Sequence, residues 1–212
     1  MSENSTGNDA SGSPANSFDA SSIFNIPNQL TCSRIVLAIV MFCFLEFEFY
    51  LTGMVLFIVA ASTDWIDGYY ARKYGMVTTL GRILDPFADK VIICGAFIYL
   101  VASPVMLETP WGLRAWMVVV IIGRELLVTA IRSFIEQQGS DFSAKQSGKW
   151  KMLLQCIAAG ASLFYLSYAN PLEDAPGWCV VIMISSIWAA VALTVYSGVG
   201  YVVAAAKLLK RA

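Results

Sequence analysis

The sequence predicts an all-α integral membrane protein with six transmembrane helices and both termini on the cytoplasmic side. Three observations lead there. Hydrophobic residues make up 58% of the 212 residues and charged residues 14%, against roughly 45–50% and 25% in soluble domains. The apolar excess is gathered into six runs, each reaching or approaching the ~20 residues a helix needs to cross a bilayer. Of the 14 Lys and Arg residues, all but Arg114 fall at one set of run ends, as the charge bias of cytoplasmic loops requires.

Taken in order, residues 1–22 are polar and rich in Ser, Asn and Gly. They bury too little apolar surface to order themselves and are expected to form a disordered tail. No basic segment leads into an apolar run there, so no cleaved secretory signal is expected. Residues 23–212 are expected to form one six-helix domain. The first run, about 30–45, carries Arg34 near its start. The second, 51–68, ends in Asp64 and Asp67, and the third, 83–103, opens with Asp85, Asp89 and Lys90. The fourth, 115–135, contains Arg124, Glu125 and Arg132. The fifth, 152–168, follows Lys145, Lys149 and Lys151, and the last, 177–205, carries no charge. Gly and Ser inside these runs are tolerated in membrane helices and let backbones approach. The connections assigned to the outer side hold Glu46, Glu48, Glu108, Glu173 and Asp174.

Composition also excludes chemistry. With 14 basic against 15 acidic residues, bulk charge gives no basis for binding nucleic acid. The chain has no histidine, which removes His-based triads, histidine general bases and the usual zinc sets. The five cysteines form no C-x-x-C pair and lie in or beside apolar runs, so they read as small packing residues.

The chemistry is concentrated in residues 64–89, DWIDGYYARKYGMVTTLGRILDPFAD. Asp64, Asp67, Gly68, Ala71 and Arg72 share one helical stripe, and Gly81, Asp85 and Asp89 share another. A short turn around Lys73–Leu80 makes the two helices antiparallel neighbours whose stripes can face each other. An Asp at the centre of a membrane helix costs about 2.5–3.5 kcal/mol. Four of them should therefore face the bundle interior or a water-filled cavity. Clustered carboxylates repel, and Arg72, Arg82 and Lys90 are too few to pair with all four. A divalent metal resolves this. An all-oxygen donor set selects a hard ion, Mg²⁺ or Mn²⁺, and four carboxylates balance two such ions. Two other readings are helix-end acids, which suits Asp85 before Pro86, and the carboxylate relay of an ion-coupled transporter. Capping does not account for Asp64 and Asp67. Transport sites lie nearer the midplane.

The pattern D-x-x-D-G-x-x-A-R-x8-G-x3-D-x3-D resembles the signature of the CDP-alcohol phosphotransferases, matched at Asp64, Asp67, Gly68, Ala71, Arg72, Gly81, Asp85 and Asp89. The resemblance covers the chain beyond its tail and implies that family's six-helix fold. It implies that an acceptor hydroxyl attacks the phosphorus bearing the lipid of a CDP-linked lipid, releasing CMP. On that resemblance Asp64, Asp67 and Asp85 hold the metals, and Asp89 lies at the metal site and serves as general base. Gly68, Ala71 and Gly81 leave room for the cytidine, and Arg72 binds the nucleotide.

A second group bears on the acceptor. Arg124 and Arg132 are eight apart and share nearly one helix face; Lys145 and Lys149 follow. Buried cations in a membrane helix need a partner, and Arg grips phosphate with two parallel hydrogen bonds. These four residues are expected to form a pocket for a phosphorylated acceptor, with Glu125 as an ion-pair partner for the arginines. Lys151 is read as a positive-inside charge. The segments FNIPNQLTCSR (24–34), GRELLVTAIR (123–132) and AKQSGKWK (144–151) resemble the bacterial phosphatidylglycerophosphate synthase branch of the family. That branch joins CDP-diacylglycerol to the 1-hydroxyl of glycerol 3-phosphate at the bacterial cytoplasmic membrane. The resemblance implies that Asn28, Thr31 and Arg34 help to bind the CDP-lipid, and that the chain forms a homodimer. Phosphatidylinositol phosphate synthase and cardiolipin synthase of the same fold share these features and stand as alternatives.

Overall fold

The computed structural model describes residues 26–74, 79–137, 147–169 and 175–209, with side chains described over 31–63, 87–131, 133, 150–168 and 175–203. The expected tail, residues 1–22, lies outside them. The described residues contain helices and no strand: α1 (Ile26–Glu46), α2 (Tyr50–Tyr74), α3 (Thr79–Ala102), α4 (Pro104–Glu108), α5 (Ala115–Gln137), α6 (Ser147–Ala169) and α7 (Gly177–Leu209). Among the described residues, six helices thus contain 21 to 33 residues. At 1.5 Å per residue even the shortest is roughly 31 Å long. The seventh, α4, has five residues and was not expected from the apolar runs. Pro104 starts it at a position where the missing N–H costs nothing. Gly177–Val203 of α7 is a stretch long and apolar enough to cross a membrane, and Tyr50–Thr63 of α2 is a shorter apolar stretch. The other long helices carry their charges within the helix rather than beyond it.

The helices have apolar residues on both faces, and several of the buried positions are polar. On α1 the buried stripe is Thr31, Arg34, Ala38, Met41 and Leu45, spaced alternately three and four. Its outward face shows Val36, Ile39, Val40 and Phe44. Similar exposed Val, Ile and Trp residues run along α5 and α7, including Val119 and Val181, while Ser162, Ser186, Thr194 and Ser197 are buried. An aqueous exterior selects against such an apolar outer surface.

α1 packs along both α2 and α3, more extensively than those two pack on each other. Two glycines permit this. A Cβ on Gly53 would stand 2.4 Å from Cδ2 of Leu45, and one on Gly95 2.2 Å from Cζ of Phe42. α1 then reverses into α2 through a Schellman motif. The Phe49 N–H donates to the Phe44 carbonyl at 2.9 Å and the Glu48 N–H to the Leu45 carbonyl at 3.1 Å. Glu48 takes the left-handed conformation (φ 61°), and the Phe44 and Phe49 rings meet edge-on at 6.1 Å, the apolar contact that accompanies this cap.

The end of the bundle away from the acidic motif is aromatic. Trp188 lies 6.4 Å from Trp111 and 6.1 Å from Trp116 between ring centroids, and its indole N–H donates to the Trp111 carbonyl at 3.1 Å. Arg114, the exception to the charge bias, donates to the carbonyls of Leu107 and Thr109. It fastens the α4 connection. The cysteines are free thiols. Only Cys179 is fully buried; Cys32 and Cys43 are exposed on α1, so packing alone does not describe all five.

Candidate active site

Wherever it is described, the acidic motif lies on helices: positions 64–74 on α2 and 79–89 on α3. Along α2 the buried residues Gly53, Phe57 and Ala60 are spaced four and three. Positions 64, 67 and 71 continue the same helical spacing along α2. Along α3, Asp89 precedes the buried Ile92, Ile93, Ala96 and Leu100. Positions 81 and 85 lie two turns and one turn before Asp89. Both stretches read from the sequence thus lie on helices, one on α2 and one on α3. The side chains of Asp64, Asp67, Gly68, Ala71, Arg72, Gly81 and Asp85 lie outside the described residues.

Asp89 is described. Its Oδ1 accepts a hydrogen bond from Nη1 of Arg34 at 3.0 Å. The Arg34 side chain is 1% exposed and that of Asp89 26%. Arg34 reaches Asp89 because α1 lies against α3, and Thr31 is buried one turn earlier on the same α1 face. The structure thus brings the start of α1 to the end of the acidic motif. Asn28 lies in the first turn of α1, with its side chain outside the described residues.

A second cluster joins α5, α6 and α7. Arg124 and Glu125 follow the buried Met117, Val118 and Ile121 on α5. Glu125 contacts the Lys151 ammonium on α6 and lies 3.6 Å from Nη1 of Arg124 through Oε1. The Arg124 side chain is 9% exposed and that of Lys151 5%. From α7, the ring of Tyr201 lies under the Arg124 guanidinium, 5.3 Å from Cζ to the ring centroid. The cluster has two cations and one carboxylate among the described residues. In a low-dielectric interior that surplus of positive charge attracts an anion. Arg132 is on α5 two turns beyond Arg124, and Lys149 is on α6 just before Lys151. The side chains of both, and Lys145 altogether, lie outside the described residues.

The sequence reading assigned Lys151 to the charge bias, and the structure buries it against Glu125 instead. The signal was its register: Lys151, Gln155, Ala158 and Ser162 recur every three or four residues and are all buried. Tyr201 was not singled out, because an aromatic residue in an apolar run has no sequence mark that distinguishes it.

Comparison with known proteins agrees with the motif. A model of the CDP-alcohol phosphatidyltransferase family matches residues 24–203. A CDP-diacylglycerol–glycerol-3-phosphate 3-phosphatidyltransferase of Bacillus subtilis is 36% identical over 198 residues, covering 84% of this chain and 94% of that protein. An enzyme of the same name from Haemophilus influenzae is 33% identical, covering 84% of this chain and 91% of its own. A probable phosphatidylglycerophosphate synthase of Mycobacterium tuberculosis is 37% identical, covering 85% and 81%. With the signature on two packed helices and the match running almost from α1 to the end of α7, the chain belongs to the CDP-alcohol phosphatidyltransferase family.

Proposed function

We propose that this protein transfers the phosphatidyl group of CDP-diacylglycerol to the 1-hydroxyl of sn-glycerol 3-phosphate, giving phosphatidylglycerophosphate and CMP. The observation that carries the choice of acceptor is the buried Arg124–Glu125–Lys151 cluster, whose surplus positive charge suits a phosphorylated alcohol and gives a neutral one nothing to hold. The names of the relatives point the same way.

The donor set fits a hard divalent cation. Asp64, Asp67 and Asp85 are oxygen donors on register faces of α2 and α3, Asp89 closes the motif, and no nitrogen or sulfur ligand is interleaved. We infer that these residues hold two Mg²⁺ or Mn²⁺ ions. When bound, such ions offset negative charge on the transferring phosphoryl group and on departing CMP. The protein's own residues do the rest. Gly68, Ala71, Gly81 and Arg72 receive the cytidine and its phosphates, with Asn28 and Thr31 at the start of α1. Arg34 orients the Asp89 carboxylate, and Asp89 takes the proton of the acceptor hydroxyl. The hydroxyl oxygen bonds to the lipid-bearing phosphorus, and the bond from that phosphorus to CMP breaks, its electron pair leaving with CMP. Arg124, Arg132, Lys145 and Lys149 hold the acceptor phosphate.

The six long helices are proposed to cross the cytoplasmic membrane of a bacterium, with both termini and the acidic site on the cytoplasmic side. The exposed apolar faces and the distribution of Lys and Arg support this. A homodimer is proposed as the working state.

The test is CMP release by purified protein in vesicles, given CDP-diacylglycerol, Mg²⁺ or Mn²⁺ and a panel of alcohols. Turnover is expected with glycerol 3-phosphate, lost with chelator and restored by either metal. Turnover only with inositol phosphate, or with phosphatidylglycerol, would overturn the acceptor assignment.

A further inference from the structure

Arg124 is held in an unusual way. Its Nη1 lies 3.6 Å from Glu125, while its Nε and Nη2, both buried, have no hydrogen-bond partner among the described residues. Nε and Nη2 form one edge of the guanidinium fork, the edge that can donate two parallel hydrogen bonds to a phosphate. Leaving both buried and unmade is costly, and structures keep such donors where something else satisfies them.

What holds the group is α7, which brings no carboxylate: residues 177–212 contain neither Asp nor Glu. It brings a ring face and a missing side chain. The face of Tyr201, itself 7% exposed, attracts the cation through its π electrons without engaging any N–H. At Gly198, three residues earlier on the same helix face, an added Cβ would stand 3.1 Å from Cγ and 4.0 Å from Cβ of Arg124. The absent side chain makes room for the arginine stem between α5 and α7. A carboxylate in place of Tyr201 would orient the arginine equally well, but it would occupy the donors and cancel the charge.

We propose that Tyr201 and Gly198 are positioning residues for the acceptor: they fix Arg124 so that its Nε–Nη2 edge is kept for the phosphate of the incoming alcohol. This rests on the reading of Arg124 as an acceptor-phosphate residue. The two can fail separately.

The experiment measures kcat and the KM values for glycerol 3-phosphate and CDP-diacylglycerol in purified Tyr201→Leu, Tyr201→Phe, Gly198→Ala and Arg124→Lys proteins. Removing the ring face should raise the glycerol 3-phosphate KM by roughly 2- to 30-fold in Tyr201→Leu, with the CDP-diacylglycerol KM unchanged. Tyr201→Phe, which keeps the face, should bring the acceptor KM back to within about twofold of the parent, taking the ring face alone to supply the attraction. Gly198→Ala should raise the acceptor KM and leave the CDP-lipid KM alone. An unchanged acceptor KM in Tyr201→Leu, or a loss in Tyr201→Phe as large as in Tyr201→Leu, would overturn the positioning role. If Arg124→Lys raises the acceptor KM while Tyr201→Leu does not, the positioning role alone fails. If Arg124→Lys leaves the acceptor KM unchanged, the acceptor reading of Arg124 fails. A defect that moves both KM values together would mark damage to the bundle and also count against the proposal.

Discussion

Glu125 is the residue on which the cation cluster depends for its stability. Its carboxylate serves Lys151 from α6 and Arg124 from its own helix, both side chains being less than a tenth exposed. Glu125→Gln keeps the shape and removes the charge. Two buried cations then face each other across an amide that can accept a hydrogen bond but neutralises neither charge. Removing one partner of a buried ion pair costs about 3–5 kcal/mol, because the remaining charge is left uncompensated. The Glu125 side chain is 16% exposed, so its burial is incomplete and the lower figure of ~3 kcal/mol is taken. For a chain of about this size, 1 kcal/mol shifts the melting temperature by roughly 2–4 °C, so the substitution should lower it by about 6–12 °C. The assay is thermal unfolding of detergent-solubilised protein at a fixed scan rate, since such unfolding is often irreversible. Lys151→Met in the Glu125→Gln background should recover part of the loss, because it removes one of the two unpaired cations; the full double-mutant cycle isolates that coupling. Glu125→Gln melting within about 2 °C of the parent, or Lys151→Met giving no recovery, would show that the carboxylate does not hold the cluster together.

Two further outcomes follow from the acidic end and from the packing of α1. Asp89→Asn should lower turnover by about 10²- to 10⁴-fold, the range of a lost general base, while retaining CDP-diacylglycerol binding; turnover close to the parent's would reject the base role. Gly95→Ala places a methyl where the Phe42 ring stands and should cost about 1–3 kcal/mol as overpacking; Phe42→Leu in that background should relieve it, and an unshifted melting temperature in the single variant would refute close α1–α3 contact at this point.

Much of the helical fold was legible because a long helix is written as a long apolar run. The six apolar runs match the six long helices of the described residues to within a few positions, the helices running on past the runs where charges begin. α2 continues to Tyr74 through the acidic motif, and α6 starts at Ser147, ahead of Lys149 and Lys151. The short α4 was missed because one and a half turns carry no periodicity. Which face turns inward was harder to read. A soluble helix marks its buried face by hydrophobicity, but α1 offers Val, Ile and Phe to the outside and Thr31, Arg34 and Ala38 to the inside. Its buried face mixes the polar Thr31 and Arg34 with Ala38, Met41 and Leu45, a pattern that a hydrophobicity period does not detect.

In the candidate site, residues are conspicuous in the sequence where chemistry dictates spacing and inconspicuous where only packing does. Asp64, Asp67, Asp85 and Asp89 stand out because carboxylates in a membrane helix are expensive and their separations match helix turns. Lys149 and Lys151 differ in a way charge counting cannot register. They are two residues apart, so about 200° of helix rotation separates them, and they cannot share a face. Lys151 belongs to the register of Gln155, Ala158 and Ser162 and packs against Glu125. The positive-inside rule acts on how many cations a loop end holds, whereas the fold acts on which of them the helix turns inward. Arg34 makes the same point. As one basic residue at the start of an apolar run it satisfies the rule, yet the close approach of α1 to α3 makes it the partner of Asp89. A basic residue in a membrane helix is therefore best judged by extending the buried register to it before counting it as a topological signal.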